Sequence, residues 1–128
     1  MQILIADDRE AIRRQMSVIL TSQPDLVVCA EAANGEEAVE KTRELNPDLV
    51  ILDITMPILN GLDAARLIRV YAPDIPILIL TMHKNRQLVE EAQKIGVRGY
   101  VTKADASQTL LAAVDTVSRG QAFFPLDF

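Results

Sequence analysis

Asp7, Asp8 and Asp53, together with Thr81 and Lys103, are the residues of this 128-residue chain whose types and settings point to chemistry. Each stands where a short apolar run stops. Asp7-Asp8 follows Ile3-Leu4-Ile5-Ala6, Asp53 follows Leu49-Val50-Ile51-Leu52, Thr81 follows Ile77-Leu78-Ile79-Leu80, and Lys103 follows Gly99-Tyr100-Val101-Thr102. Three carboxylates gathered in one place repel and raise at least one pKa unless a cation sits among them. A hard divalent ion with oxygen ligands meets that need, and Mg²⁺ takes one or two carboxylates along with waters and phosphate oxygens. One Mg²⁺ and the Lys103 ammonium would balance the three charges. Such a site suits the receipt of a phosphoryl group. The cations stabilise its oxygens, the Thr81 hydroxyl donates to one of them, and Asp53 acts as a covalent nucleophile.

Taken singly, each residue has a blander reading. An Asp at a strand end is commonly a turn former, and Asp8 could simply cap the following helix. Thr suits strand ends, and a lone Lys is usually a solvated charge. The joint occurrence carries the argument, and it requires elements that bring all five to one edge.

Those elements are legible. The runs 3–6, 26–30, 49–52, 77–80 and 99–102 read as strands, apolar enough to be covered on both faces. Between them, helical spacing places Ile12, Met16, Ile19 and Leu20 inward over 9–22, and Ala38, Val39, Thr42 and Leu45 over 36–45. A third helix is expected from the cap Asn60 through Leu62, Ala65 and Ile68. The fourth spans 86–95 with Leu88, Val89, Ala92 and Ile95, and the fifth 106–119 with Leu110, Ala113, Val114 and Val117. Pro24, Pro47, Pro73, Pro76, Gly96 and Gly120 punctuate them. Strands alternating with helices over short loops predict one α/β domain with a parallel sheet and right-handed crossovers. In the flavodoxin-like, doubly wound order 2-1-3-4-5, the first and third strands flank the switch point, where ligands bind beyond the carboxyl ends. All five polar residues would then line one shallow cleft.

Composition limits the alternatives. A net charge of −5 and a pI near 4.8 argue against this chain alone gripping nucleic acid through phosphates. The single cysteine, Cys29, excludes a disulfide within the monomer and reads as a small buried hydrophobe. No apolar stretch reaches membrane-spanning length, the first residues lack signal-peptide features, and the cytoplasm is the expected location.

The ordered set Ala6-Asp7-Asp8, Asp53-Ile54-Thr55-Met56-Pro57, Leu80-Thr81 and Gly99-Tyr100-Val101-Thr102-Lys103 resembles the receiver (CheY-like) domain of bacterial two-component response regulators, over about residues 2–120. Thr81-Met82-His83 is similar to the NarL/LuxR-type branch, whose receivers precede a helix-turn-helix DNA-binding domain. The resemblance implies that Asp53 accepts phosphate from a phosphohistidine on a sensor histidine kinase. Asp8 and Asp53 would bind Mg²⁺ directly, Asp7 mainly through water, and the Thr55 backbone carbonyl would complete the protein ligands. Thr81 and Lys103 would contact the phosphoryl group. Tyr100 matches the family's switch aromatic, whose ring turns inward once the phosphoryl group draws the Thr81 hydroxyl away. The alternative is a tyrosine that only packs at a strand edge.

The chain departs from the family pattern at two places. Ala104 stands where many receivers have a cis proline, and Met82 is large where many have a small residue. Residues 121–128, with Phe123, Phe124, Leu126 and Phe128, read as the start of a linker to an output domain, the receiver itself being 1–120. The expected function is a signalling module that turns over only its own acyl phosphate, with a phosphorylation-dependent homodimer as a family-level expectation. An Mg²⁺-dependent phosphatase would want a general acid at position 55, which is Thr. A nucleotide-binding domain would want a glycine-rich loop after the first strand, and none is present. A receiver-shaped scaffold that is never phosphorylated is the third alternative.

Overall fold

The computed structural model describes residues 1–125. Its five strands are β1 (Gln2–Ala6), β2 (Val27–Ala32), β3 (Leu49–Leu52), β4 (Ile77–Thr81) and β5 (Gly99–Thr102). They alternate with α1 (Glu10–Thr21), α2 (Gly35–Leu45), α3 (Gly61–Tyr71), α4 (Arg86–Ile95) and α5 (Ala106–Ser118). The strands form one parallel sheet in the order β2-β1-β3-β4-β5, as the sequence reading requires.

Side chains alternate across each strand, so the sheet separates two cores. Leu4, Ala6, Val50, Leu52, Ile77, Ile79 and Tyr100 face a layer that includes Ala38, Ala65, Ile68, Val89 and Ala92 from α2, α3 and α4. Ile3, Ile5, Leu49, Ile51, Leu78, Leu80 and Val101 face Met16 and Leu20 of α1 and Leu110, Ala113, Val114 and Val117 of α5. Burying each large aliphatic side chain stabilises the fold by roughly 1.5–3 kcal/mol. β3 and β4 are buried along their whole length, which is why they read as uninterrupted apolar runs.

Local signals start and stop the helices. Asn34 Oδ1 accepts the Glu37 N–H at 2.8 Å, while the Glu37 carboxylate accepts the Ala33 N–H at 3.1 Å. Asn60 caps α3 through the Asp63 N–H at 2.9 Å, and Asn85 caps α4. Gly96, at φ +103°, closes α4 in the left-handed conformation.

Three expectations need correction. β2 starts one residue later and runs to Ala32, because Glu31 and Ala32 still pair with Ile5 and Ala6. An exposed side chain in an edge strand costs nothing, so the polar Glu31 does not end it. Leu45 is not part of the inward stripe of α2: it is about half exposed, at the helix's last turn, just before the left-handed Asn46. Cys29, expected to be buried, lies on the same edge strand and is only half-buried. Burial pushes its thiol pKa up, a backbone hydrogen bond opposes this, and the Asp48 charge adds to the rise. A 3₁₀ turn over Lys103–Asp105 joins β5 to α5, with the Thr102 hydroxyl donating to Asp105 Oδ2 at 2.9 Å. No peptide bond among the described residues is cis, including Lys103–Ala104.

Beyond α5 the chain returns to the sheet. Phe123 forms a parallel bridge with Gly99 at the outer edge of β5. The Phe123 N–H donates to Arg98 O and the Tyr100 N–H donates to Phe123 O, each at 2.9 Å. Leu126 and Phe128 of the expected linker lie outside the described residues. Among the described residues, no helix is long and apolar enough to cross a membrane.

Candidate functional site

The carboxyl ends of β1 and β3 lie side by side, with Ala6 paired to Leu52, so the residues that follow both strands are neighbours. Asp7, Asp8 and Asp53 each offer a carboxylate oxygen within 4.8 Å of the others'. Asp7 and Asp53 are buried, whereas Asp8 is exposed. Asp8 therefore stands at the solvent side of the cluster, and it does not cap α1, whose N-cap residue is Arg9. Backbone donors fix the two buried groups. The Arg9 N–H donates to Asp7 Oδ1 at 2.8 Å, and the Ile54 N–H donates to Asp53 Oδ1 at 2.7 Å.

Lys103 reaches in from the end of β5. Its Nζ lies 2.7 Å from Asp7 Oδ2 and 2.9 Å from Asp53 Oδ2, with the side chain only 12% exposed. The Oδ1 of each acid is taken by a backbone N–H, so one ammonium bridges the two remaining oxygens of carboxylates that the backbone already holds. Burial of the ammonium disfavours its charge, but the hydrogen bonds to Asp7 and Asp53 outweigh that, and the Lys103 pKa lies above its ordinary value.

Thr81 is fully buried at the end of β4, and its Oγ1 accepts the His83 N–H at 3.4 Å. Tyr100 is also fully buried. Its hydroxyl donates to His83 O at 2.7 Å, so the ring already occupies the inward position. Burial, with a smaller contribution from the Asp53 charge, pushes its phenol pKa up to about 12. Thr55 is exposed, and its Oγ1 lies 3.0 Å from His83 Nε2. Met82 is 58% exposed.

The site thus gathers Asp7, Asp8, Asp53 and Lys103 directly, and ties Thr55, Thr81 and Tyr100 together through His83. The sequence offers His83 only as part of Thr81-Met82-His83. It is exposed, but it also holds three site residues at once, a role no spacing reveals. Arg13 was missed. It donates from Nη1 to Asp7 O at 2.7 Å and from Nε to Glu31 at 2.8 Å, bracing the end of β1. Gly61 was missed as well. A Cβ there would lie 1.8 Å from Asp53 O, so only glycine lets α3 begin against the backbone of the central carboxylate. The turn before it is held by Ile58 at φ 72°, with the Leu59 N–H donating to Pro57 O at 2.8 Å.

The donor set is chemically consistent with a hard divalent cation: three carboxylates, no sulfur, and one lysine that leaves the cluster a net negative charge.

Comparison with known proteins agrees with this geometry. The model of the response regulator receiver domain matches residues 3–115. The transcriptional regulatory protein LnrK of Bacillus subtilis (strain 168) is 39% identical over 124 residues, 97% of this chain and 56% of that protein. The chain thus spans about half the length of the curated relatives it matches. A LuxR-family two-component response regulator from Aurantimonas sp. SI85-9A1 superposes with a TM-score of 0.92 at 34% identity, covering 95% of this chain and 87% of that one. The response regulator domain of Thermotoga maritima CheB follows with a TM-score of 0.87 at 30% identity, over 93% and 96%. The chain belongs to the response regulator receiver domain family.

Proposed function

We propose that this chain is a phosphorylation-dependent switch, in which Asp53 accepts a phosphoryl group from the phosphohistidine of a sensor histidine kinase. The observation that carries the reading is the bridge from Lys103 Nζ to Asp7 Oδ2 and Asp53 Oδ2 beside Asp8. Lys103 keeps its charge throughout the physiological range, so it holds Asp53 in place and is poised to stabilise an incoming phosphoryl oxygen. The backbone N–H of Ile54 fixes one Asp53 oxygen, which leaves the other as the attacking atom. Asp8, Asp53 and the Thr55 carbonyl would hold Mg²⁺, with Asp7 acting through water. When bound, the ion neutralises charge on the transferring group. The Thr81 hydroxyl would donate to that group, and Tyr100, anchored on His83, would report the change at the surface of α4, β4 and β5.

Such a chain acts on no external substrate. It catalyses the formation and hydrolysis of its own acyl phosphate. Its LnrK relative is a transcriptional regulator that extends well beyond the matched region, which supports residues 121–128 leading to a DNA-binding output domain. Phosphorylation-dependent homodimerisation and a cytoplasmic location belong to the same reading.

Intact-protein mass after incubation with acetyl phosphate and Mg²⁺ tests it. One phosphoryl group should be gained, should require Mg²⁺, and should be absent from Asp53→Ala. No gain under conditions that modify an established receiver would sink the reading and favour a receiver-shaped scaffold.

A further inference from the structure

The segment that follows α5 does not leave the domain. Phe123 lies parallel to β5, donating to Arg98 O and accepting from the Tyr100 N–H, so its two hydrogen bonds straddle Gly99. Its side chain packs on the core beneath α1 and α5, while Phe124 packs on the core that contains the Tyr100 ring. The segment therefore closes over the edge of β5 with one phenyl on each face. Gly99 explains why the fit is so close at this point. A Cβ there would approach Val117 Cγ2 at 3.0 Å and Leu78 Cγ at 3.1 Å, so β5 is seated tightly between α5 and β4.

Tyr100 is accordingly held at both ends by different parts of the chain. Its hydroxyl is fixed to His83 O in the β4–α4 loop, which carries the Thr81 contact, and its amide is fixed to Phe123 O. We propose that residues 121–125 form a strap on the β5 edge whose docking is coupled to the inward position of the Tyr100 ring. Through that strap the state of the phosphoacceptor cleft is passed to the chain beyond Pro125.

The physical reason is shared packing and shared hydrogen bonds. The Tyr100 ring belongs to the core layer under α4, and β5 is the last strand, so the ring's way out leads past the edge that Phe124 covers. With the ring inward, Phe124 has a filled core to pack on, and the Tyr100 amide is in register with Phe123 O. With the ring outward, the surface under Phe124 is altered and β5 shifts relative to the strap. By linkage the effect is reciprocal: a docked strap favours the inward ring to the same degree that an inward ring favours a docked strap. The signalling role of this coupling rests on the function proposed above, but the coupling itself belongs to the unmodified chain.

The test uses the full chain with no phosphoryl donor and compares wild type, Tyr100→Phe and Phe124→Ala. Amide exchange by NMR reads the strap. In Tyr100→Phe, which frees the ring from His83 O, the Phe123 amide should exchange about 5-fold faster or more, as befits a coupling at the low end of the usual range. The Ile5 amide in β1 should be unaffected. Titration of the Tyr100 phenol reads the ring, in a Tyr71→Phe background that removes the other tyrosine. In Phe124→Ala the phenol should titrate lower than in the chain with an intact strap, and Phe124→Leu should restore it. An unchanged Phe123 amide, or an unchanged phenol, overturns the coupling. Because neither measurement involves phosphate, their failure leaves the acetyl phosphate result standing, and the reverse holds too.

Discussion

Replacing Tyr100 by Phe should be destabilising at neutral pH and stabilising in strong alkali. At neutral pH the variant loses the hydrogen bond to His83 O, made at 2.7 Å by a fully buried ring. Such a bond contributes about 1 kcal/mol net, with a further cost if the carbonyl is left unsatisfied. Ionisation changes the sign. Because burial holds the folded phenol at about 12 against an ordinary 10.0, the unfolded chain gives up this proton first. The contribution of a raised pKa is fully present below about pH 10 and is lost as pH rises towards 12. At about 1.36 kcal/mol for each pH unit, the loss approaches 2.7 kcal/mol. Lysines titrate in the same window, but they are common to both proteins and cancel in the difference. The stability curves of wild type and Tyr100→Phe should therefore cross between about pH 10.5 and 11. Urea unfolding followed by circular dichroism suits the assay, since the chain has no tryptophan. A difference that stays constant from pH 9 to pH 11.5 would refute the claim that this phenol is sealed in a core.

Three further outcomes follow from the same geometry. Lys103→Met leaves Asp7 and Asp53 facing one another without their shared ammonium, and breaking a buried pair this way costs about 3–5 kcal/mol. Thermal melts should show that loss largely recovered on adding Mg²⁺, so the variant's Tm should depend on Mg²⁺ more steeply than wild type's. Gly61→Ala places a Cβ 1.8 Å from Asp53 O, a backbone atom that cannot swing aside, and chemical denaturation should show a loss above about 2 kcal/mol. Leu45→Ala, on the half-exposed end of α2, should change stability by less than about 1 kcal/mol, whereas Ile68→Ala in the sealed layer of α3 should cost about 2–5 kcal/mol in the same assay.

The positions of Asp7, Asp53, Thr81 and Lys103 were legible because each interrupts a run that is apolar on both faces. A polar residue in a fully covered strand has nowhere to go but the end. Helix limits were legible where a side chain caps the backbone, as Asn34, Asn60 and Asn85 do. Strand order was not written in any local pattern; it entered as a rule for this class of sheet, and the parallel ladders then bore it out. Leu45 misled because a stripe counted at 3.6 residues per turn takes no account of where the sheet stops. The contacts of Arg13 and His83 were not legible because their partners include main-chain carbonyls and residues from distant loops, and a main-chain atom leaves no mark in the sequence. The Phe123 pairing escaped for a similar reason: two phenylalanines and a proline read equally well as a connector or as a cover.

The cover has a consequence for the molecule's behaviour in concentrated solution. A sheet of this kind has two rims, and a rim with free N–H and C=O groups invites strands from other molecules. On the β2 side, the exposed Glu31 with its Arg13 partner makes the rim charged and unwelcoming. On the β5 side there is no such charge along Gly99-Tyr100-Val101, and residues 121–125 do the protecting instead. A version of the chain cut at Gly120, where the last helix has ended and trimming looks harmless, would lay bare Arg98 O and the Tyr100 N–H beside an apolar strand. It should keep its fold at low concentration and lose solubility as concentration rises.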